Sequence, residues 1–69
     1  MSERRTIMFH FALHATVRIV GQYAALTVRS RRYVETSTRT WQEYALAPAG
    51  DDSTPLAWHS GADLVQVAP

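Results

Sequence analysis

The sequence predicts an all-β domain: one small antiparallel barrel of five to six short strands. Three observations carry this. Apolar and polar residues alternate with period two in several short runs, the mark of half-buried strands. Those runs recur at roughly ten-residue spacing with turns between them, as in barrels and sandwiches. With only 69 residues available, closing the sheet is the simplest way to remove exposed edges.

Residues 1–5, Met-Ser-Glu-Arg-Arg, are polar and read as a flexible N-terminus, leaving residues 6–69 as a single domain. From Thr6 to Leu13, Ile7, Phe9, Phe11 and Leu13 alternate with Met8, His10 and Ala12, which predicts a first strand. The same stretch also suits a short helix, since Ala and Leu favour one. Thr16–Val20 alternates again, with Val17 and Ile19 on one face, and Gly21 ends it. Leu26–Val34 is rich in β-branched and aromatic residues and predicts a long strand. Leu26 and Val28 share a face that leads on to Ser30 and Arg32. Either the strand runs off the core, or a bulge near Ser30–Arg32 switches its faces.

Thr36–Arg39 has no apolar group and reads as a loop. Trp41–Leu46 predicts the next strand, with Tyr44 and Leu46 on one face and Trp41 and Glu43 on the other. Pro48–Ser53 carries Pro, Gly and two Asp, the residues that build turns. Pro55–His59 predicts a short strand with Leu56 and Trp58 on one face, and Val65–Val67 a last one. Between them, Ser60–Leu64 reads as a single tight turn. SH3-like barrels place a short 3₁₀ turn there, just before the final strand.

Composition narrows the function classes. There is no cysteine, so no disulfide staples the fold and no thiolate holds a metal. A secreted domain of this size is usually stapled, so the cytoplasm is the expected compartment. The longest apolar run falls far short of the about 20 residues of a membrane-spanning helix, and no secretory signal pattern is visible. A core this small supplies a net stability on the order of 3–5 kcal/mol, and self-association into a homo-oligomer offers an extra source. The formal net charge is +1, yet the charge is polarised. Arg18, Arg29, Arg31, Arg32 and Arg39 lie between residues 16 and 39 against Glu35 alone, whereas residues 40–69 hold four acids and no Lys or Arg. All the basic residues are Arg. A GC-rich genome encodes such a bias; the functional reading is that Arg serves planar, bidentate recognition.

Phe11-Ala12-Leu13, Thr16-Val17, Arg31-Arg32-Tyr33, Glu43-Tyr44-Ala45-Leu46 and the run from Trp58 to Leu64 together resemble a group of small phage and prophage proteins. Members of that group open with a Phe-x-Leu-x-x-x-Val strand and close with Trp-Trp-Gly-Glu-Ser-Ala-Leu. Trp58-His59-Ser60-Gly61-Ala62-Asp63-Leu64 keeps the first Trp and the final Leu at that separation. It departs at the second Trp, here His59, and in the acid, here Asp63. The resemblance spans most of residues 11–66 and implies an SH3-like barrel. The same architecture is similar to that of the trimethoprim-resistant type II dihydrofolate reductases, whose substrate contacts come from Val-Gln-Ile-Tyr before the final turn. This chain has Leu56-Ala57-Trp58-His59 there, so the resemblance does not carry that chemistry across.

Enzymatic constellations are missing from the pattern. His10 and His14, four apart, would stand about 13 Å apart in a strand, too far to share a metal, and neither Cys nor clustered carboxylates complete a site. There is no nucleophile elbow and no glycine-rich phosphate loop. No catalysis, metal or cofactor is expected. The candidate binding residues are Arg29, Arg31, Tyr33, Arg39 and Trp41. Arg29, Arg31 and Tyr33 share a strand face if no bulge intervenes, with Arg18 and Arg39 able to join from neighbouring elements. The competing reading is that these arginines form cross-strand ion pairs with Glu35 and Glu43. Trp41 lies opposite Tyr44 and Leu46 and would face outward, unless it packs on Phe9 or Phe11. Trp58 is expected in the core. The leading expectation is a non-catalytic module binding a host or phage protein, of the kind that inhibits a host defence system such as CRISPR. A nucleic-acid-binding domain using the Arg face, and an oligomeric barrel with a ligand-binding pore, are the alternatives.

Overall fold

The computed structural model describes residues 7–51, 53 and 56–67. Its five strands are β1 (Thr16–Ile19), β2 (Leu26–Glu35), β3 (Thr40–Pro48), β4 (Ala57–Ser60) and β5 (Leu64–Gln66), with a 3₁₀ turn at Gly61–Asp63. They form one antiparallel sheet in the order β4-β3-β2-β1-β5. This is the SH3-like arrangement expected from the sequence, with the 3₁₀ turn directly before the last strand. That turn joins the two outermost strands. Ser60 Oγ caps it by accepting from the Ala62 N–H at 3.3 Å. The Val20 N–H donates to the Asp63 carbonyl at 2.9 Å, so the end of β1 is tied to it as well. The expected flexible terminus, residues 1–5, lies outside the described residues.

The central hairpin owes its shape to two local devices. At its tip, Thr36 organises the loop: its Oγ1 accepts from the Arg39 N–H at 3.1 Å, and its own N–H donates to the Arg39 carbonyl at 2.8 Å. Midway, the β2–β3 register shifts between Val28 and Ser30, leaving Arg29 as the extra residue of a β-bulge. Before the bulge, Val28 pairs with Leu46. After it, Arg31 pairs with Tyr44, Arg32 with Glu43 and Val34 with Trp41. Directly opposed residues share a face. The bulge therefore brings Arg31 to the side of Tyr44 and sends Arg32 outward.

Val17, Val28, Tyr44, Leu46 and Leu64 form the buried cluster, edged by Phe9, Phe11, Ala15, Ile19 and Leu26. Each large side chain buried here contributes roughly 1.5–3 kcal/mol, so a few of them carry the fold. The strand expected over Thr6–Leu13 is not formed by residues 7–13. The segment crosses the face of β3, held there by Gln42 and Tyr44, and β3 is already paired on both sides, by β2 and β4, so no ladder position is open to it at that place. Residues 7–13 instead lie as a strap over Tyr44. The alternation read from the sequence survives as packing: the Phe9 and Phe11 rings meet Tyr44 edge-on, with centroids 6.2 and 5.2 Å away.

Candidate functional site

The bulge and the β3–β4 pairing together build an outer face on β2, β3 and β4. Arg32 and Val34 come from β2, Trp41 and Glu43 from β3. Trp58, paired with Ala45, and Ser60, paired with Glu43, come from β4. On this face five side chains form a continuous stack. The Arg39 guanidinium lies 4.5 Å above the Trp41 ring, and Trp41 Nε1–H donates to Glu43 Oε2 at 3.0 Å. Glu43 Oε1 in turn accepts from Arg32 Nε at 2.5 Å, and the Arg32 guanidinium lies 4.1 Å above the Trp58 ring. Both cation–ring distances are well inside the range where the ring quadrupole attracts a cation. The hydrogen bond from Trp41, then that from Arg32, hold the Glu43 carboxyl below its ordinary value.

Trp58 is 40% exposed, so its expected place in the core is corrected. Its pairing with Ala45 puts it opposite Tyr44 and Leu46, and Leu56 is exposed too. Trp41 lies on the outer face, as its parity with Glu43 indicated, and is half-buried beneath Arg39. The rings of Phe9 and Phe11 are occupied by Tyr44.

The other expected site residues do not gather with it. Arg29, in the bulge, lines a shallow depression with His14, Thr27, Pro48 and Gly50. Arg31 faces the strap: its guanidinium lies 4.4 Å above the Phe9 ring, and Nη1 donates to the Phe11 carbonyl at 3.3 Å. Tyr33 borders an open groove of about 480 Å³ between the strap, the hairpin tip and the 3₁₀ turn. The expected face of Arg29, Arg31 and Tyr33 is thus corrected in part: the bulge removes Arg29, while Arg31 and Tyr33, paired with Tyr44 and Gln42, still share a face, on the side of the strap. Of the expected residues, only Arg39 and Trp41 belong to the stack; Arg32, Glu43 and Trp58 complete it. The pair Arg32–Glu43 is one of the cross-strand ion pairs the sequence allowed.

Among the described residues, no three His, Cys, Asp or Glu side chains come together as a metal site would need. No helix among them is long and apolar enough to cross a membrane. Compared with family models, with curated proteins and with solved structures, the chain matches none.

Proposed function

We propose that this chain is a non-catalytic binding module that contacts a protein through the outer face of β2, β3 and β4. The Arg39–Trp41–Glu43–Arg32–Trp58 stack supports this reading. Trp and Arg are the residues most enriched at the energetic centres of protein interfaces. Here each ring is held under a guanidinium and Glu43 links the two halves, so docking freezes little additional side-chain freedom. The charge balance favours protein over nucleic acid. Glu43 neutralises Arg32, and the net charge of the chain is +1, below the larger excess that phosphate binding uses. The sequence resemblance makes a host or phage protein the partner class, and inhibition of a host defence or regulatory system the role.

Capture from a host extract, comparing the wild-type chain with Trp41→Ala and Trp58→Ala, tests this. Both variants should keep a cooperative thermal melt and lose the captured protein. A variant that unfolds would show its Trp to be structural, and a partner retained equally by both folded variants would place the contact elsewhere. Binding to DNA or RNA that weakens steeply with salt would decide for the nucleic-acid alternative.

A further inference from the structure

The strap is held in a way that reads main chain more than side chain. Gln42 Nε2 donates to the Met8 carbonyl at 2.7 Å, and Gln42 Oε1 accepts from the His10 N–H at 3.0 Å. Tyr44 Oη accepts from the same His10 N–H at 3.0 Å and from the Phe11 N–H at 3.4 Å, and it donates to Gln42 Oε1. Arg31 takes the Phe11 carbonyl. Gln42, Tyr44 and Arg31 thus form a cradle for an extended segment, with two aromatic rings, two residues apart, laid on Tyr44. Nothing in these bonds requires that the segment belong to the same chain.

The connection that makes it the same chain is strained. The strap turns back into β1 through residues 12–15, closed by the Ala15 N–H donating to the Ala12 carbonyl at 3.2 Å. Within that turn His14 sits at φ 70, a left-handed conformation uncommon for residues with a Cβ. Its N–H donates to the Val28 carbonyl at 2.9 Å while the Val28 N–H donates to the Ala15 carbonyl at 3.0 Å, so the hinge opens on the strap side of Ala15 at the cost of the His14 bond. Hinges that are short and strained are where segments exchange between copies, since opening the hinge relieves strain while every cradle contact is remade. The strap's apolar groups point the same way. Met8 is 82% exposed, and Ile7 and Leu13 are also exposed, so they have surface left for a neighbour to cover.

We propose that the cradle of Gln42, Tyr44 and Arg31 accepts residues 7–13 of a second copy of this chain, giving a strap-exchanged dimer. Opened, residues 12–15 span about 13 Å, so the two barrels stand side by side. This contact is separate from the outer Trp–Arg face and does not depend on its role.

The full chain is refolded at high concentration and its dimerisation followed by sedimentation equilibrium, beside His14→Gly. Glycine accepts the left-handed conformation without strain, so it stabilises the closed hinge. The wild type should dimerise, and His14→Gly should weaken the dimer by roughly fivefold per hinge, about 25-fold for the two. Because the chain has no cysteine, a spin label on Met8→Cys reports contacts at a single place. Spin-labelled copies co-refolded with isotope-labelled wild type should broaden the signals of Gln42 and Tyr44 most strongly in the isotope-labelled copy, which carries no spin label. A chain monomeric at millimolar concentration would overturn the proposal. So would a dimer not weakened by His14→Gly, or broadening centred on Arg32 and Trp58, the signature of pairing through the outer face.

Discussion

Gly61 lies so close to the ring of Tyr44 that a Cβ on it would come within 2.9 Å of Tyr44 Cε2. Tyr44 has no room to yield, being fully buried with its hydroxyl pinned under the strap. Gly61→Ala should therefore destabilise the fold by about 1–3 kcal/mol, the usual cost of overpacking. In a domain of this size each kcal/mol lowers the melting temperature by roughly 4–8 °C, so calorimetry reads it directly. Glu43 makes a second prediction at this scale. Its folded value is depressed, so its contribution to stability is complete above the ordinary carboxylate value of 4.5 and fades as pH falls through the lower folded value. Glu43→Gln should consequently melt below the wild type at neutral pH, and the gap should close under acid. A gap independent of pH would mean that the carboxylate's charge contributes nothing.

At the scale of the elements, the hairpin β2–β3 decides which side chains face where. The extra residue Arg29 shifts the register by one position, and a one-position shift moves every later side chain to the other face. Deleting Arg29 would join Val28↔Leu46 directly to Ser30↔Ala45 as successive pairs of a regular ladder. The deletion should fold and keep Arg32 beside Glu43 and Val34 beside Trp41, which cross-strand nuclear Overhauser contacts would show. Loss of those contacts would mean that the strand re-registers and the bulge itself is needed. The sequence announced this device as one of two alternatives and put it near Ser30–Arg32, just past its place at Arg29: Arg32 stood on the parity of Val28, where a charged side chain does not fit a core. The alternation of Phe9 and Phe11 was equally visible, but it marked rings packing on Tyr44, not a strand. Period two reports which side a residue faces; it does not say whether a neighbouring strand has free hydrogen-bonding groups to receive it.

Across the whole molecule, the succession of strands from Thr16 onward and the place of the 3₁₀ turn were legible because they depend on turn residues and on short-range alternation. Trp58 was less so. It shares parity with Leu56, and only its pairing with Ala45 shows that this parity belongs to the outside. The outer face as a unit depends on a bulge in one strand and a pairing in another, so its five side chains come from three strands and a loop. Arg39 and Trp41 could be read from the chain one at a time; Arg32, Glu43 and Trp58 join them only through the third dimension.

Both tryptophans of the chain belong to that stack, whereas the fully buried aromatic ring is a tyrosine. The optical properties of the protein follow from this division. Its indole emission originates at the surface, from one ring 40% open to water and another bonded to a carboxylate. Fluorescence of the folded chain therefore reports on the state of the outer face, and the core has to be followed through its tyrosine.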